Sequence, residues 1–390
     1  MKIAIEGCMH GELQKVYETI AEIETRENYK VDLLLCCGDF QATRNLSDLK
    51  CMAVPEKHLD MGSFYKYYSG ELKAPILTLV IGGNHEASNH FQELPFGGWL
   101  APNIYFLGHS GVVDIVDEND KVALTVGGMS GIYKGRDFLR GRYERVPYDE
   151  NAKRSVYHIR NIDAFRLKSM PPGSLNIGMS HDWPCGITDY GNVQQLLRFK
   201  KHFREDIENN ALGSPPAMDI LQYLLPKYWF SGHLHCKFAA VYENQTKFLA
   251  LDKCLPNRRF LQIIHEGGEI ASPSLNYNPK WLSILKSTSH LQSTKRYDQH
   301  MPGPGSLGQR YNFEPTKEEM KIIEDIYGND FKIPLNFKQT AKVYDPSQDN
   351  VKQIFAVAMP SQPQVNSQTE QFCEKLGIDD PISLIGLVSH

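Results

Sequence analysis

Lys2-Ile3-Ala4-Ile5-Glu6-Gly7-Cys8-Met9-His10-Gly11 decides how this chain of 390 residues is read. A short apolar run, Lys2–Glu6, has the look of a buried strand. It leaves through a glycine and at once presents a cysteine and a histidine two residues apart. Side chains at i and i+2 both turn inward where a strand gives way to a loop, and glycines beside them let backbone come close to a bound ion.

Two more runs follow the same plan. Leu33–Cys37 and Ile76–Ile81 read as buried strands. Between the first two lies Leu13–Thr25, with apolar residues at helical spacing: Leu13, Val16, Tyr17, Ile20 and Ile23. Strand, helix, strand at this spacing predicts βαβ units and an α/β core. Further strands are expected near Ile104–Leu107, Val112–Val116, Val122–Val126, Leu175–Met179, Tyr228–Phe230, Phe238–Val241 and Phe248–Ala250. Several have no helix between them, which points to a second, mixed or antiparallel sheet. The order fits a two-sheet β-sandwich flanked by helices.

Four more pieces each follow an apolar strand, as Gly7–Gly11 follows the first. They are Gly38-Asp39-Phe40-Gln41, Gly82-Gly83-Asn84-His85-Glu86, Ser180-His181-Asp182-Trp183-Pro184 and Ser231-Gly232-His233-Leu234-His235. Groups at the carboxyl ends of neighbouring strands converge on one edge of a sheet. The candidate ligand set is Cys8, His10, Asp39, Asn84, His181, His233 and His235. One thiolate, four imidazoles, one carboxylate and one amide oxygen suffice for two divalent ions about 3.5–4 Å apart, bridged by the carboxylate. A mixed N, O and S set suits Zn, Fe or Mn rather than Ca or Mg. Each piece alone is weak, and nine of the 14 histidines, such as His58, His202 and His290, lie outside them. The order of all five is what carries the reading.

Composition bounds the rest. Hydrophobic residues make up 41% and charged residues 23%, as in globular domains. No run of about 18 apolar residues predicts a membrane span. The strand directly after Met1 leaves no room for a signal-peptide core, so a cytosolic or nuclear protein is expected. Eight cysteines without a framework spacing or a CxxC pair suggest free, buried thiols and no zinc finger. A net charge of −4 lends no overall support to nucleic-acid binding, so any basic surface must be local.

Gly127–Asp163 is polar, basic and aromatic, and reads as a long loop with one helix. Lys134, Arg136, Arg140, Arg142, Arg145, Lys153, Arg154 and Arg160 interleave there with Tyr133, Phe138, Tyr143, Tyr148 and Tyr157. Such a mixture suits single-stranded RNA or, equally, an ordinary solvated face. Met301–Tyr311 is a Pro/Gly-rich linker. The expected division is 1–271 for the main domain, with an insert at about 127–163, and 272–390 for a smaller C-terminal region packed on the core. Helices are expected in that region near Lys317–Tyr327 and Gln368–Leu376.

The ordered set resembles that of the calcineurin-like metallophosphoesterases, which implies an α/β/β/α fold. The chain departs from the pattern at Cys8, where an Asp is usual, and lacks the common acidic residue shortly after Gly38-Asp39. Both departures resemble the RNA lariat debranching family. So do Glu6–Leu13, Gly127–Tyr133, Ser180–Pro184 and Tyr277-Asn278-Pro279-Lys280-Trp281. The resemblance runs from Met1 to about Trp281, and weakly over Cys373–Pro381. It implies Asp39 as the bridge, with Cys8, His10 and His235 in one site and Asn84, His181 and His233 in the other. It implies two divalent ions (Fe(II), Zn(II) or Mn(II)), and His85 as general acid or charge stabiliser. A metal-bound hydroxide would hydrolyse the 2′–5′ phosphodiester at the branch point of excised intron lariat RNA. Cys8 is read either as a ligand or as a small core residue near the site. The insert becomes a lariat-recognition segment, with Tyr133, Lys134, Arg136, Arg140, Arg142 and Arg145 as RNA contacts. Trp183 either stacks on a base or belongs to the core. The substrate implies a nuclear protein, with a cytoplasmic pool also allowed. Spliceosome-associated partners stay unassigned. The competing readings are another metallophosphoesterase, acting on nucleotides, DNA ends or phosphoproteins, and a non-catalytic binding module of the same fold.

Overall fold

A computed structural model of the chain describes residues 1–306, 308–328 and 330–387. Position 307 of the expected linker, and positions 329 and 388–390 of the expected C-terminal region, lie outside the described residues. Among the described residues, thirteen strands build two sheets. They are β1 (Lys2–Glu6), β2 (Leu33–Cys36), β3 (Leu77–Val80), β4 (Gly98–Ala101), β5 (Ile104–Phe106), β6 (Ser110–Val116), β7 (Val122–Met129), β8 (Ile177–Ser180), β9 (Tyr228–Ser231), β10 (Phe238–Tyr242), β11 (Thr246–Ala250), β12 (Leu261–His265) and β13 (Ser274–Tyr277). The first sheet has the order β12-β1-β2-β3-β5-β4 and the second β10-β11-β9-β8-β7-β6-β13.

The period of two along each strand sorts residues between layers. Ile3 and Ile5 of β1, Leu33 and Leu35 of β2, and Leu77 and Leu79 of β3 stand in register. They meet Val113, Ile115, Leu124, Val126, Ile177 and Met179 of the second sheet in one buried core between the sheets. Ala4, Leu34 and Val80 point the other way, onto the helices Leu13–Glu27 and Phe64–Ser69. The outer face of the second sheet is covered by the helices Asn161–Lys168, Pro215–Leu224 and Pro279–Ser287. The result is the four-layer α/β/β/α sandwich, parallel through β1, β2 and β3 and mixed in the second sheet.

Three strands, β4, β12 and β13, were not anticipated. Each is four or five residues long. β12 pairs antiparallel with β1, and β13 with β6, across more than a hundred residues of chain. Such pairing leaves no local signal. The strand expected at Val122–Val126 runs on through Gly127 and Gly128 to Met129, because those residues stay in register with β6 and β8. The insert therefore starts after Met129, not at Gly127, and carries two one-turn helices, Gly135–Phe138 and Ala152–Ser155, rather than one.

Past β13, the helices Lys317–Tyr327 and Ser367–Leu376 lie where helical spacing put them. The first begins with a capping box between Thr316 and Glu319. Gln368 pairs with the edge of β4, accepting from the Trp99 N–H at 2.8 Å and donating to the Trp99 carbonyl at 2.9 Å. Thr340 joins the buried group of Arg44 and Glu93.

Candidate metal centre

All five strand-end pieces reach one edge of the sandwich. The loops after β1 and β2 are laced together, the His10 N–H donating to the Asp39 carbonyl at 2.6 Å. Four proposed ligands, His10, Asp39, His233 and His235, sit at positive φ, between 49° and 63°. That region costs a residue other than glycine of order 1–3 kcal/mol and persists only where the surroundings over-determine it. Here it is what turns His10 and His235 back toward the strand ends. Gly38 (φ 105°) and Gly83 show how tight the approach is. A Cβ on Gly38 would lie 2.3 Å from His181 Nδ1, and one on Gly83 2.2 Å from Asp39 Oδ1.

Asp39 is fully buried at the middle of the group. Its two oxygens face different sets of ligands. Oδ2 lies 3.6 Å from His10 Nε2, and Oδ1 lies 3.3 Å from His181 Nε2. On the first side, donor atoms of Cys8, His10, Asp39 and His235 all lie within 4.8 Å of one another, with His10 Nε2 and His235 Nε2 3.0 Å apart. On the second, His181 Nε2 is 3.1 Å from Asn84 Oδ1, and the His233 ring stacks at a tilt on His181, 5.0 Å between centroids. His181 Nδ1 donates to the Cys37 carbonyl at 2.7 Å, which leaves Nε2 as the free lone pair. Gln41 Nε2 lies 3.3 Å from His10 Nδ1, a contact in which the amide donates, so it does not select the tautomer that frees His10 Nε2.

A cation fits these residues. Asp39 Oδ2 is buried yet has no hydrogen-bond partner among the described residues, since His85 Nδ1, 3.3 Å away, is poorly aligned for one. Buried polar atoms are seldom left so. Burial also holds His10 down at about 4 and His235 at about 3, and lowers His181 and His233, so all four rings are neutral donors at pH 7. Burial raises the Asp39 carboxyl, but His181, His85 and His10 outweigh it and hold the group well below the carboxylate range. Cys8 is the opposite case. Burial, then the charges of Asp39 and Glu6, push its thiol far up, against one hydrogen bond from the His233 N–H at 2.9 Å. A thiolate forms there only beside a compensating positive ion.

His85 stands at the mouth, with its N–H donating to Asp39 Oδ1 at 2.9 Å and its side chain 29% exposed. Burial lowers its imidazole, and the neighbouring Asp39 carboxylate more than reverses that.

The insert behaves differently from its composition. Tyr133 docks it to the site through its N–H, which donates to Asp182 Oδ2 at 3.2 Å. Lys134, Arg136 and Arg145 are exposed, and Arg140 is half-buried and paired with Asp137 at 2.9 Å. Arg142, expected on RNA, is buried and paired with Asp163 at 2.5 Å. It holds the insert together and has no face for a phosphate. Arg160, likewise buried, pairs with Glu144 at 2.6 Å. Trp183 is 0% exposed. Its ring stacks on Phe238 and its Nε1 donates to the Gly232 carbonyl at 2.8 Å, so it is a core residue and not a base platform.

Two residues beside the centre escaped the sequence reading. Glu86 accepts three backbone N–H groups: Phe40 and Gly83 at 2.8 Å on Oε1, and Gln41 at 2.7 Å on Oε2. It ties the loops after β2 and β3 together beneath Asp39. Burial and the Asp39 charge push it up to about 8 against those three bonds. Lys253 lies just beyond β11, bridged to Cys8, and its charge lowers the proton affinity of His10, His85 and His235. The signal for Lys253 was the rule used elsewhere, a polar residue directly after a strand.

Comparison with known proteins bears on this geometry. The calcineurin-like phosphoesterase family model matches residues 1–237, and that for the lariat debranching enzyme C-terminal domain matches residues 243–381. A lariat debranching enzyme of Drosophila pseudoobscura pseudoobscura is 47% identical, over 98% of this chain and 78% of its own. Lariat debranching enzyme A of Xenopus laevis is 50% identical, over 97% and 71%, and the lariat debranching enzyme of Homo sapiens 49%, over 97% and 70%.

Proposed function

We infer the function from the premise that this chain belongs to the lariat debranching enzymes, a family of calcineurin-like phosphoesterases. It is a hydrolase of the 2′–5′ phosphodiester bond at the branch point of lariat RNA. The observation that carries the reading is the convergence of two ligand groups on the two oxygens of Asp39, with His85 at the open side.

Cys8, His10 and His235 would hold one divalent ion and Asn84, His181 and His233 the other, with Asp39 shared. Bound there, the ions supply Lewis acidity toward the phosphate and a water acidified enough to attack phosphorus at neutral pH. The thiolate and imidazoles favour Fe(II) or Zn(II), with Mn(II) as the further choice. The chain's own part is to hold and exclude. Asp39 would fix the spacing, and the Cys37 carbonyl sets the His181 tautomer. Hydrolysis adds water across the P–O2′ bond. The new oxygen goes to phosphorus and the 2′ oxygen leaves with a proton, which His85 is placed to donate. Lys134, Arg136 and Arg145, with Tyr133 and Arg140 behind them, would meet RNA on the insert side. The substrate is made in the nucleus, so we propose a nuclear location, with a cytoplasmic pool as the second place to look.

The test uses reduced, anaerobic protein loaded with Mn(II), Fe(II) or Zn(II), and a synthetic RNA carrying one 2′–5′ linkage, with linear RNA and a generic phosphatase substrate alongside. Release of the 2′ arm alone, lost in His85→Ala, is the expected result. Equal cutting of linear RNA would leave the metals and remove the substrate.

A further inference from the structure

A groove of about 620 Å³ opens beside the metal-site residue His235, and no residue of the insert lines it. Its walls are the helix Val193–Phe199, the start of β10 and the segment after β11. Nothing in the reaction above uses it.

We propose that this groove binds one single-stranded arm of the branched RNA next to the branch nucleotide, with Lys200, Lys237 and Arg259 on its phosphates and Phe199 stacked on a base. The proposal rests on the debranching reading for the identity of the RNA.

Charge is the first argument. The chain is net negative, at −4, yet this groove is lined by four cations and a single carboxylate, Asp252. That carboxylate is already engaged by Arg258 at 3.3 Å. Lys237 and Arg259 line the same groove, and Lys237 Nζ donates to the neutral Gln262 Oε1 at 2.8 Å rather than to a carboxylate. With Arg258 paired to Asp252, Lys200, Lys237 and Arg259 are left without a groove carboxylate to neutralise them, a cost in the free protein that a polyanion relieves. The second argument is Phe199. Its side chain is 77% exposed at the end of a helix, directly beside Lys200. A bare aromatic at the rim of a basic groove is the arrangement that holds single-stranded nucleic acid without reading its sequence. Position is the third. The metal-site residue His235 is itself in the groove wall, and Lys253 follows the lining residue Asp252 and pairs with Cys8 by a backbone bridge. Three chain segments leave a branch nucleotide, and the insert, anchored at Asp182, accounts for one surface beside the site.

The experiment measures binding and cleavage separately on the full, metal-loaded chain. Binding is read by fluorescence anisotropy on a His85→Ala background, with branched RNAs whose three arms are trimmed to one nucleotide in turn. Phe199→Ser with Arg259→Ser is expected to weaken binding of the full substrate by about tenfold. The salt slope should fall by about 0.7 for each phosphate that the variant no longer neutralises. Trimming one particular arm should abolish the difference between variant and parent. Arg259→Glu should be worse than Arg259→Ser, which a folding defect at an exposed site does not require. A loss independent of arm length, or no loss, overturns the proposal. Cleavage by the parent enzyme reads the debranching assignment by itself. If the arm-dependent binding holds while the 2′–5′ bond stays intact, the groove stands and the reaction falls.

Discussion

Replacing Glu86 tests whether the metal centre is held from beneath. Its carboxylate takes three N–H groups from the two loops that carry Asp39 and Asn84. In Glu86→Ala all three buried donors lose their acceptor. Each unsatisfied group costs about 1–3 kcal/mol, and water entering the vacated space recovers part, so a loss of about 3–5 kcal/mol is expected. Glu86→Gln separates the contributions. The amide oxygen can keep both N–H groups now on Oε1, while the amide nitrogen faces the Gln41 N–H. That is one lost bond and one donor–donor contact, about 1–3 kcal/mol. The same loops set the spacing of the ligands, so metal affinity should drop by about 10–100-fold in Glu86→Ala, and less in Glu86→Gln. Urea unfolding of each variant with and without metal, together with metal titration, reads both effects. Equal damage from Gln and Ala, or an Ala variant within about 1 kcal/mol of the parent, would refute the reasoning, because either result means that the N–H bonds are not what holds the loops.

Three further outcomes follow from particular contacts. Arg142→Ala should cost about 3–5 kcal/mol of stability, because it strands the buried Asp163 carboxylate, whereas exposed Arg136→Ala should weaken RNA binding and leave the urea midpoint alone. Trp183→Ala should cost about 3–5 kcal/mol as a core cavity, and Trp183→Phe should retain RNA affinity; a selective loss of RNA binding in Trp183→Phe would restore the stacking role. His90 is held down to about 3 by burial and by the nearby Arg44 charge, below the ordinary 6.5. Its contribution is therefore present in full above pH 6.5 and drains as the pH falls toward 3, by at most about 1.4 kcal/mol per pH unit. Stability measured between pH 6.5 and 4 should fall less steeply in His90→Gln; identical slopes would show that His90 is not the group.

What could be read from the chain before its fold was whatever it encodes locally. Ile3, Ile5, Leu33, Leu35, Leu77 and Leu79 alternate at the period of a strand, and each such run is followed within a few residues by its ligand, so core and site shared one signal. β12 gave no such signal. Leu261–His265 is half-buried on both faces, and its partner β1 lies at the other end of the chain. Composition also misjudged the insert, for a physical reason. Arginines count alike in a sequence whether they meet solvent or a buried acid, and only the fold brings Asp163 to Arg142 and Glu144 to Arg160. Trp183 was ambiguous on the same ground. The chain turns straight from His181 into the outer core of the second sheet, where Phe238 and Phe248, both far along the sequence, enclose the ring.

That internal use of charge changes where RNA affinity must come from. With Arg142 and Arg160 spent on buried pairs and Arg140 held by Asp137, the insert offers fewer cations than its sequence suggests. A docking surface of that size would hold linear RNA about as well as a branched one, since both present phosphates and bases to it. Discrimination needs a second surface on another side of the metal centre, which a linear strand fills only by bending through the site, whereas a branch reaches it with its third arm. The basic groove beside His235 is a second surface separate from the insert, and we take it as that candidate. On this argument, removing the groove should reduce the preference for branched over linear RNA, while weakening the insert should lower binding of both alike. Measured as a ratio of the two affinities, the first variant moves the ratio and the second does not.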